Sequence, residues 1–158
     1  PLRLVGSEMC IRDSFKDLSL GESKKPVAVL AYDVEKRIPR LLSSYDEPGI
    51  KILSAASATS AAPIYYSTQE IDDGSWLIDG GIVANNPSLL GYAEAQKLFP
   101  NNNIKILSIG AGINRRKING KNSSKWGALN WFNHDILGIM LESSIFDEIA
   151  TDLSLIHI

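Results

Sequence analysis

The chain has 158 residues, 44% of them hydrophobic and 22% charged, and carries a formal net charge of −2. That composition predicts one globular domain with enough apolar matter for a core. No apolar run approaches the roughly 18 consecutive residues of a membrane-crossing helix, and the balance of charge gives no electrostatic footprint for nucleic acid, so no nucleic-acid partner is expected.

The two ends are expected to be foreign to the domain. The peptides Met9–Ser14, MCIRDS, and Leu153–Ile158, LSLIHI, can be encoded by DNA strings that are reverse complements in shifted frames. Such an inverted repeat resembles the transposon end of a sequencing library, and Leu4–Glu8, LVGSE, resembles translated adapter outside it. Residues 1–14 and 153–158 are therefore expected to be adapter-derived, and residues 15–152 to be a partial domain. Cys10 and His157 fall in the suspect ends, so the remaining segment has no cysteine. Disulfides and thiolate metal sites are excluded for it, and the cellular compartment stays open.

Pro26–Glu35, PVAVLAYDVE, is apolar on both alternations, the pattern of a strand covered on both faces. Arg37–Ser43, RIPRLLS, is a second strand, which Pro39 moves toward a sheet edge. After the Glu47-Pro48-Gly49 turn, IKILSAASATSAAP has the small-residue composition of a helix packed close to a neighbour and stopped by Pro63. Asp72-Asp73-Gly74 signals a turn, and SWLID after it a short strand broken by Gly80-Gly81. Asn86 is suited to cap a helix over Ser88–Phe99 with Pro87 in its first position. Ile104–Gly112, IKILSIGAG, is a further buried strand running into a glycine-containing loop. Asn114–Ser124 is a basic, solvated loop. Trp126–Asp152 predicts one or two helices, with Leu137, Leu141, Ile145, Ile149 and Met140 as core. His134 lacks a second ligand at metal spacing and is expected on the surface or at a helix start; no metal or organic cofactor is expected.

Asp79 closes a short apolar strand and precedes two glycines, where α/β sheets place functional groups and where glycine permits a positive φ. The tripeptide alone is equally the mark of an ordinary turn. Three stretches in this order, SAASATSAAPIYY, WLIDGGIVANNPSLLGYAEA and IKILSIGAG, together resemble the second half of the patatin-like phospholipase family, and LAYDVEKRIPRLLSS resembles the strand pair before its small-residue helix.

The resemblance covers nearly all of residues 15–152 and implies a three-layer α/β/α fold with a mostly parallel sheet, of which only the C-terminal portion is present. It also implies lipid acyl ester hydrolysis of the phospholipase A type by a Ser–Asp dyad, with lipid or phospholipid as substrate and peripheral membrane contact. Asp79 is then the catalytic base, and Gly80 and Gly81 support the turn and leave room for substrate. A serine is a weak nucleophile that needs a positioned base, and a partly desolvated carboxylate can serve.

The sequence departs from the family in one respect: no Gly-x-Ser-x-Gly elbow or glycine-rich oxyanion loop occurs in the 158 residues. Ser57 and Ser60 sit in the helical stretch without flanking glycines and are expected to serve helix packing. The chain alone is expected to be inactive, and residues 15–152 in isolation to associate or stay molten. Two other readings compete: a non-catalytic patatin-like binding module, and a nucleotide-binding α/β domain that would hold phosphate on GAGINRR without a P-loop lysine.

Overall fold

The computed structural model describes residues 13–15, 17–110, 112, 117–134, 136 and 138–140. Two compact units divide the chain, Pro1–Ala84 and Asn85–Ile158. Apart from Asp13 and Ser14, the suspected adapter ends fall outside the described residues, as do Leu137, Leu141, Ile145 and Ile149 of the expected helical core.

In the first unit, the doubly apolar run becomes strand β1, Ala28–Asp33, and RIPRLLS becomes β2, Ile38–Ser43. A tight turn of residues 34–37 joins them, built on Asp33, whose Oδ1 accepts the N–H groups of Glu35 (3.0 Å) and Lys36 (2.9 Å). The Lys36 N–H holds the Asp33 carboxyl below its usual range against the opposing effect of burial. Helix α1, Ile52–Thr59, follows; β3, Gln69–Glu70, and β4, Trp76–Asp79, form a second hairpin whose turn has Gly74 at φ 81°.

The four strands lie in the order β2-β1-β4-β3. Pro39 sits on the outer strand, as its missing N–H requires. The fold is α/β, but the expected mostly parallel sheet is not what the described strands form: all their pairings are antiparallel. For β1–β2 and β3–β4 the reason is local, since each pair is joined by a turn too short for the crossover that parallel strands need.

Directly opposed residues share a sheet face. Val29 with Leu42 and Asp33 with Leu77 are such pairs, and with Ala31 they turn the sheet's apolar face toward α1. The helix meets them through Ala55 and Ala58, both fully buried, and Leu20, Ile50 and Ile71 close the cluster. Small side chains allow the close approach expected of them, and Thr59 Oγ1 donates to the Leu30 carbonyl at 2.6 Å. The helix ends before Pro63, at Ser60, because the chain turns to present the Ala61 carbonyl to the Asp79 N–H, 3.1 Å away. On the opposite sheet face Tyr32, Leu41 and Ile78 are half-buried.

Arg40 ties β2 to the turn before β4. Its guanidinium is ion-paired with Glu47 and with Asp73 (2.6 Å) and donates to Ser75 Oγ at 3.0 Å. Burial pushes the Asp73 carboxyl up, but the hydrogen bonds from Arg40 and Ser75 outweigh it and hold the group below its usual range. A carboxyl lowered on folding stabilises above its unfolded pKa, about 3.9, and that contribution is lost as pH falls through the folded value. Urea melts of the chain are therefore expected to weaken below about pH 4, and the Asp73→Asn variant to be weaker at neutral pH with a flatter acid limb; parallel curves for the two proteins would contradict this.

In the second unit, α2 spans Ser88–Leu98. The expected cap is shifted by one residue: Pro87, whose carbonyl accepts the Gly91 N–H at 2.8 Å, is the N-cap rather than the first helical residue and has no side-chain cap to offer. Asn86 stands before it, its Oδ1 accepting the Ser88 N–H (3.2 Å) and Oγ–H (2.6 Å). Two short helices follow, α3, Gly120–Ser123, capped by Asn119, and α4, Ala128–Asn133.

The expected strand over Ile104–Gly112 is corrected: residues 104–110 pair with no strand among the described residues, and Leu107 and Ile109 are more than four-fifths exposed. Likewise Met140 is exposed rather than core. A strand is completed by a neighbour, and an unpaired apolar edge templates association. The chain is expected to self-associate with rising concentration, and Leu107→Lys with Ile109→Lys to suppress it; light scattering showing a monomer before substitution would refute this.

Candidate functional site

β4 carries the sheet to Asp79 and ends there because Gly80 enters a 3-10 turn, Gly80–Ile82. Asp79 is paired with Ala31 of β1, and its N–H is taken by the Ala61 carbonyl. Its Oδ1 accepts the Gly81 N–H at 2.7 Å, so the side chain caps the turn it precedes. The backbone of half-buried Asp79 is thus held on two sides, by β1 and by the segment after α1, while its carboxylate is oriented by the Gly81 N–H.

The turn after Asp79 does not use the positive φ that its glycines permit, since among the described glycines positive φ occurs at Gly74 and Gly112. Gly80 is there for space: a Cβ on it would lie 2.1 Å from the Leu30 carbonyl oxygen. Gly81 contributes its N–H. The sequence held no sign of this crowding, because Leu30 and Gly80 are far apart along the chain.

The Ala61–Tyr66 segment beside Asp79 is also unusual. Ile64 has a φ of 77°, a left-handed conformation that a β-branched residue adopts only under constraint, and the constraint is visible in the N–H groups of Tyr65 and Tyr66, both bonded to the Ala62 carbonyl. The side chains of Ile64, Tyr65 and Tyr66 are exposed.

Of the serines, Ser57 lies half-buried within α1, while Ser60 is exposed at the helix C-cap and donates its hydroxyl to the Ala56 carbonyl of its own helix at 2.8 Å rather than packing against a neighbour. His134 is exposed, as expected of a surface histidine, and follows α4; its Nδ1 lies 2.8 Å from the Asn130 carbonyl oxygen and its ring packs on Trp126. No group of metal-ligating side chains occurs among the described residues. Within the second unit, a groove of about 840 Å³ runs between α2 and residues 104–110, and none of Asp79, Gly80 or Gly81 lines it. Of the GAGINRR stretch in the phosphate-loop reading, Gly110 and Gly112 are described and exposed, and residues 111 and 113–116 lie outside the described residues. No helix of the described residues is long and apolar enough to cross a membrane.

The sequence profile described as patatin-like phospholipase matches residues 8–90, a span that holds the sheet, α1 and the Asp79 turn. The chain belongs to the patatin-like phospholipase family. Patatin-like protein 2 of Arabidopsis thaliana is 28% identical over 170 residues, covering 90% of this chain and 41% of that protein. Patatin-like protein 3 of the same plant is 33% identical over 143 residues, covering 73% and 33%. A cGAMP-activated phospholipase of Vibrio cholerae is 44% identical over 69 residues, 39% of this chain and 19% of its own length. The chain thus spans about two fifths of the length of the first of these relatives. Membership in this family makes lipid hydrolysis the chemistry against which the Asp79 geometry is to be judged.

Proposed function

We propose that the protein of which this chain forms part is a lipid acyl hydrolase cleaving acyl esters of phospholipids or related lipids, with Asp79 as the base of a Ser–Asp dyad. The observation that carries the reading is the placement of Asp79 at the end of β4, its carboxylate oriented by the Gly81 N–H and its backbone fastened to Ala61. A preset carboxylate is what a serine needs within about 3 Å to lose its proton as it attacks.

In that scheme the serine oxygen adds to the ester carbonyl as its proton passes to the Asp79 carboxylate. The ester C–O bond then breaks, the alcohol leaves with that proton, and the acyl group remains on the serine. Water, deprotonated by Asp79 in turn, hydrolyses the acyl-serine and restores both residues. No metal or organic cofactor enters these steps. The nucleophile and oxyanion donors would come from a part of the protein outside these 158 residues, which contain no Gly-x-Ser-x-Gly, and the chain alone is inactive on this reading. Membrane contact would be peripheral. The same part would pair with residues 104–110, which have no strand partner among the described residues, and complete a three-layer arrangement with further, parallel strands.

The test is a long read of the source DNA across the codons around Ser14, where an adapter junction is expected, followed by a phospholipid hydrolysis assay of the complete protein. An upstream frame with Gly-x-Ser-x-Gly, and activity lost on serine-to-alanine substitution, supports the reading. A frame running natively through LVGSEMCIRDS without such a serine would leave Asp79 as the acid of a turn and favour a binding module.

A further inference from the structure

We propose that Thr59, the last residue of α1, is a positioning residue for the Asp79 carboxylate. The inference rests on the reading of Asp79 as a catalytic base and concerns what sets its aim. Two adjacent hydroxyls at the end of α1 are used differently. A serine or threonine in a helix commonly turns its hydroxyl back to a carbonyl one turn earlier, and Ser60 does so, donating to Ala56 at 2.8 Å. Half-buried Thr59 sends its hydroxyl out of the helix instead. It donates to the Leu30 carbonyl of β1 at 2.6 Å, across 29 residues of sequence.

That carbonyl is the point on which the Asp79 turn closes. The β1–β4 ladder ends at the Ala31–Asp79 pair, and the next residue, Gly80, comes so close to Leu30 that a Cβ on it would stand 2.1 Å from the Leu30 oxygen. Gly80 opens the 3-10 turn whose Gly81 N–H donates to Asp79 Oδ1 at 2.7 Å. Contacts therefore run without a gap from the Thr59 hydroxyl, through the Leu30 carbonyl and the Gly80 backbone, to the hydrogen bond that orients the carboxylate. A second hold comes from buried Ala61, whose carbonyl takes the Asp79 N–H at 3.1 Å. The end of α1 thus fixes the turn at two points. The Ala61 hold is backbone and survives substitution, whereas the Thr59 hold is a side chain and can be removed.

Threonine suits the task because its β-branch restricts χ1, so the hydroxyl is set in place rather than searching for its acceptor. Without that bond the Leu30 carbonyl is free to draw back from Gly80, and the turn that aims Asp79 gains room to move. A displacement of about 1 Å between reacting groups can cost on the order of 100-fold in rate. With Ala61 still holding the turn, a smaller loss follows.

The experiment compares the complete protein with its Thr59→Val, Thr59→Ala, Thr59→Ser and Ser60→Ala variants in the hydrolysis of dibutyroyl phosphatidylcholine, with unfolding midpoints measured alongside. Valine keeps the shape of threonine without the donor and should lower kcat about tenfold with KM nearly unchanged. Alanine lacks the donor and the branch alike and should do the same, which covers the case in which valine disturbs the packing. Serine keeps the hydroxyl and should recover most of the rate. Ser60→Ala loses a bond within α1 only and should stay within about twofold of the parent. Amide exchange should quicken at Asp79 and Gly81 in Thr59→Val and stay slow at Ile71, whose N–H is bonded to the Ser75 carbonyl in the β3–β4 turn. A complete protein that hydrolyses no phospholipid, or is undiminished by Asp79→Asn, would overturn the hydrolase reading and this inference with it. An active, Asp79-dependent protein would overturn this inference alone if Thr59→Val lowered only the unfolding midpoint, acted only through KM, was matched by Ser60→Ala, or was not rescued by serine.

Discussion

Asp79→Asn is expected to lower the turnover of the complete protein by about 10⁴-fold with little change in KM, the scale seen when the acid of a serine hydrolase loses its charge. Asparagine keeps the shape of the side chain and an oxygen that can accept the Gly81 N–H, and it leaves the backbone bond to Ala61 untouched. The fold should therefore survive, and unfolding midpoints of the two proteins should nearly coincide. Asp79→Ala removes the cap as well, at a further cost of about 1 kcal/mol in stability. The split between the two variants separates the two roles of this residue. If Asp79 were only a turn cap, Asn would be silent in the assay and Ala would act through stability alone. Activity of Asp79→Asn within about tenfold of the parent would rule out the dyad.

The strands of the first unit were legible because their residues carry their own constraints. Pro39 cannot donate to an inner ladder, and it lies on the edge strand β2. The doubly apolar β1 lies inside the sheet, with β2 on one side and β4 on the other. Alanine and serine spacing announced a helix packed at close range, and Ala55 and Ala58 are buried in that contact.

Strand direction was not legible, since alternation of side chains is the same in either sense; short hairpins decided it for β1–β2 and β3–β4. The strand β3 was missed because two residues, Gln69 and Glu70, carry no period at all. Ile104–Gly110 shows the opposite error. Its pattern states a demand for burial, and a demand is not evidence of a partner within the same 158 residues. At the site, the position of Asp79 at a strand end was readable from Trp76 to Gly81. What holds it was not, because the Ala61 carbonyl and the Leu30 carbonyl come from elsewhere in the sequence and leave no mark in it.

Gly80→Ala should be the most damaging single change in the first unit, costing about 3 kcal/mol or more. The added Cβ would fall 2.1 Å from the Leu30 carbonyl oxygen, 2.5 Å from its carbon and 3.1 Å from the Ala31 nitrogen, all backbone atoms. Leu30 cannot withdraw easily. Its carbonyl accepts the Thr59 hydroxyl from α1, and it is paired with Leu41 of β2 within the ladder. Relief must come from β4, which would draw Asp79 away from Ala31 and break the bond to Ala61.

The same substitution at Gly74 provides the comparison. Gly74 has open space within 4 Å and a φ of 81°, so alanine there pays only for its backbone conformation, about 1 kcal/mol. Equilibrium urea unfolding should rank the two far apart, with Gly80→Ala below Gly74→Ala. Amide exchange at Asp79 should accelerate in Gly80→Ala and stay slow in Gly74→Ala. If Gly80→Ala proved the milder of the two, the close approach of the Asp79 turn to β1 would be wrong. The carboxylate's orientation would then have to be explained without it.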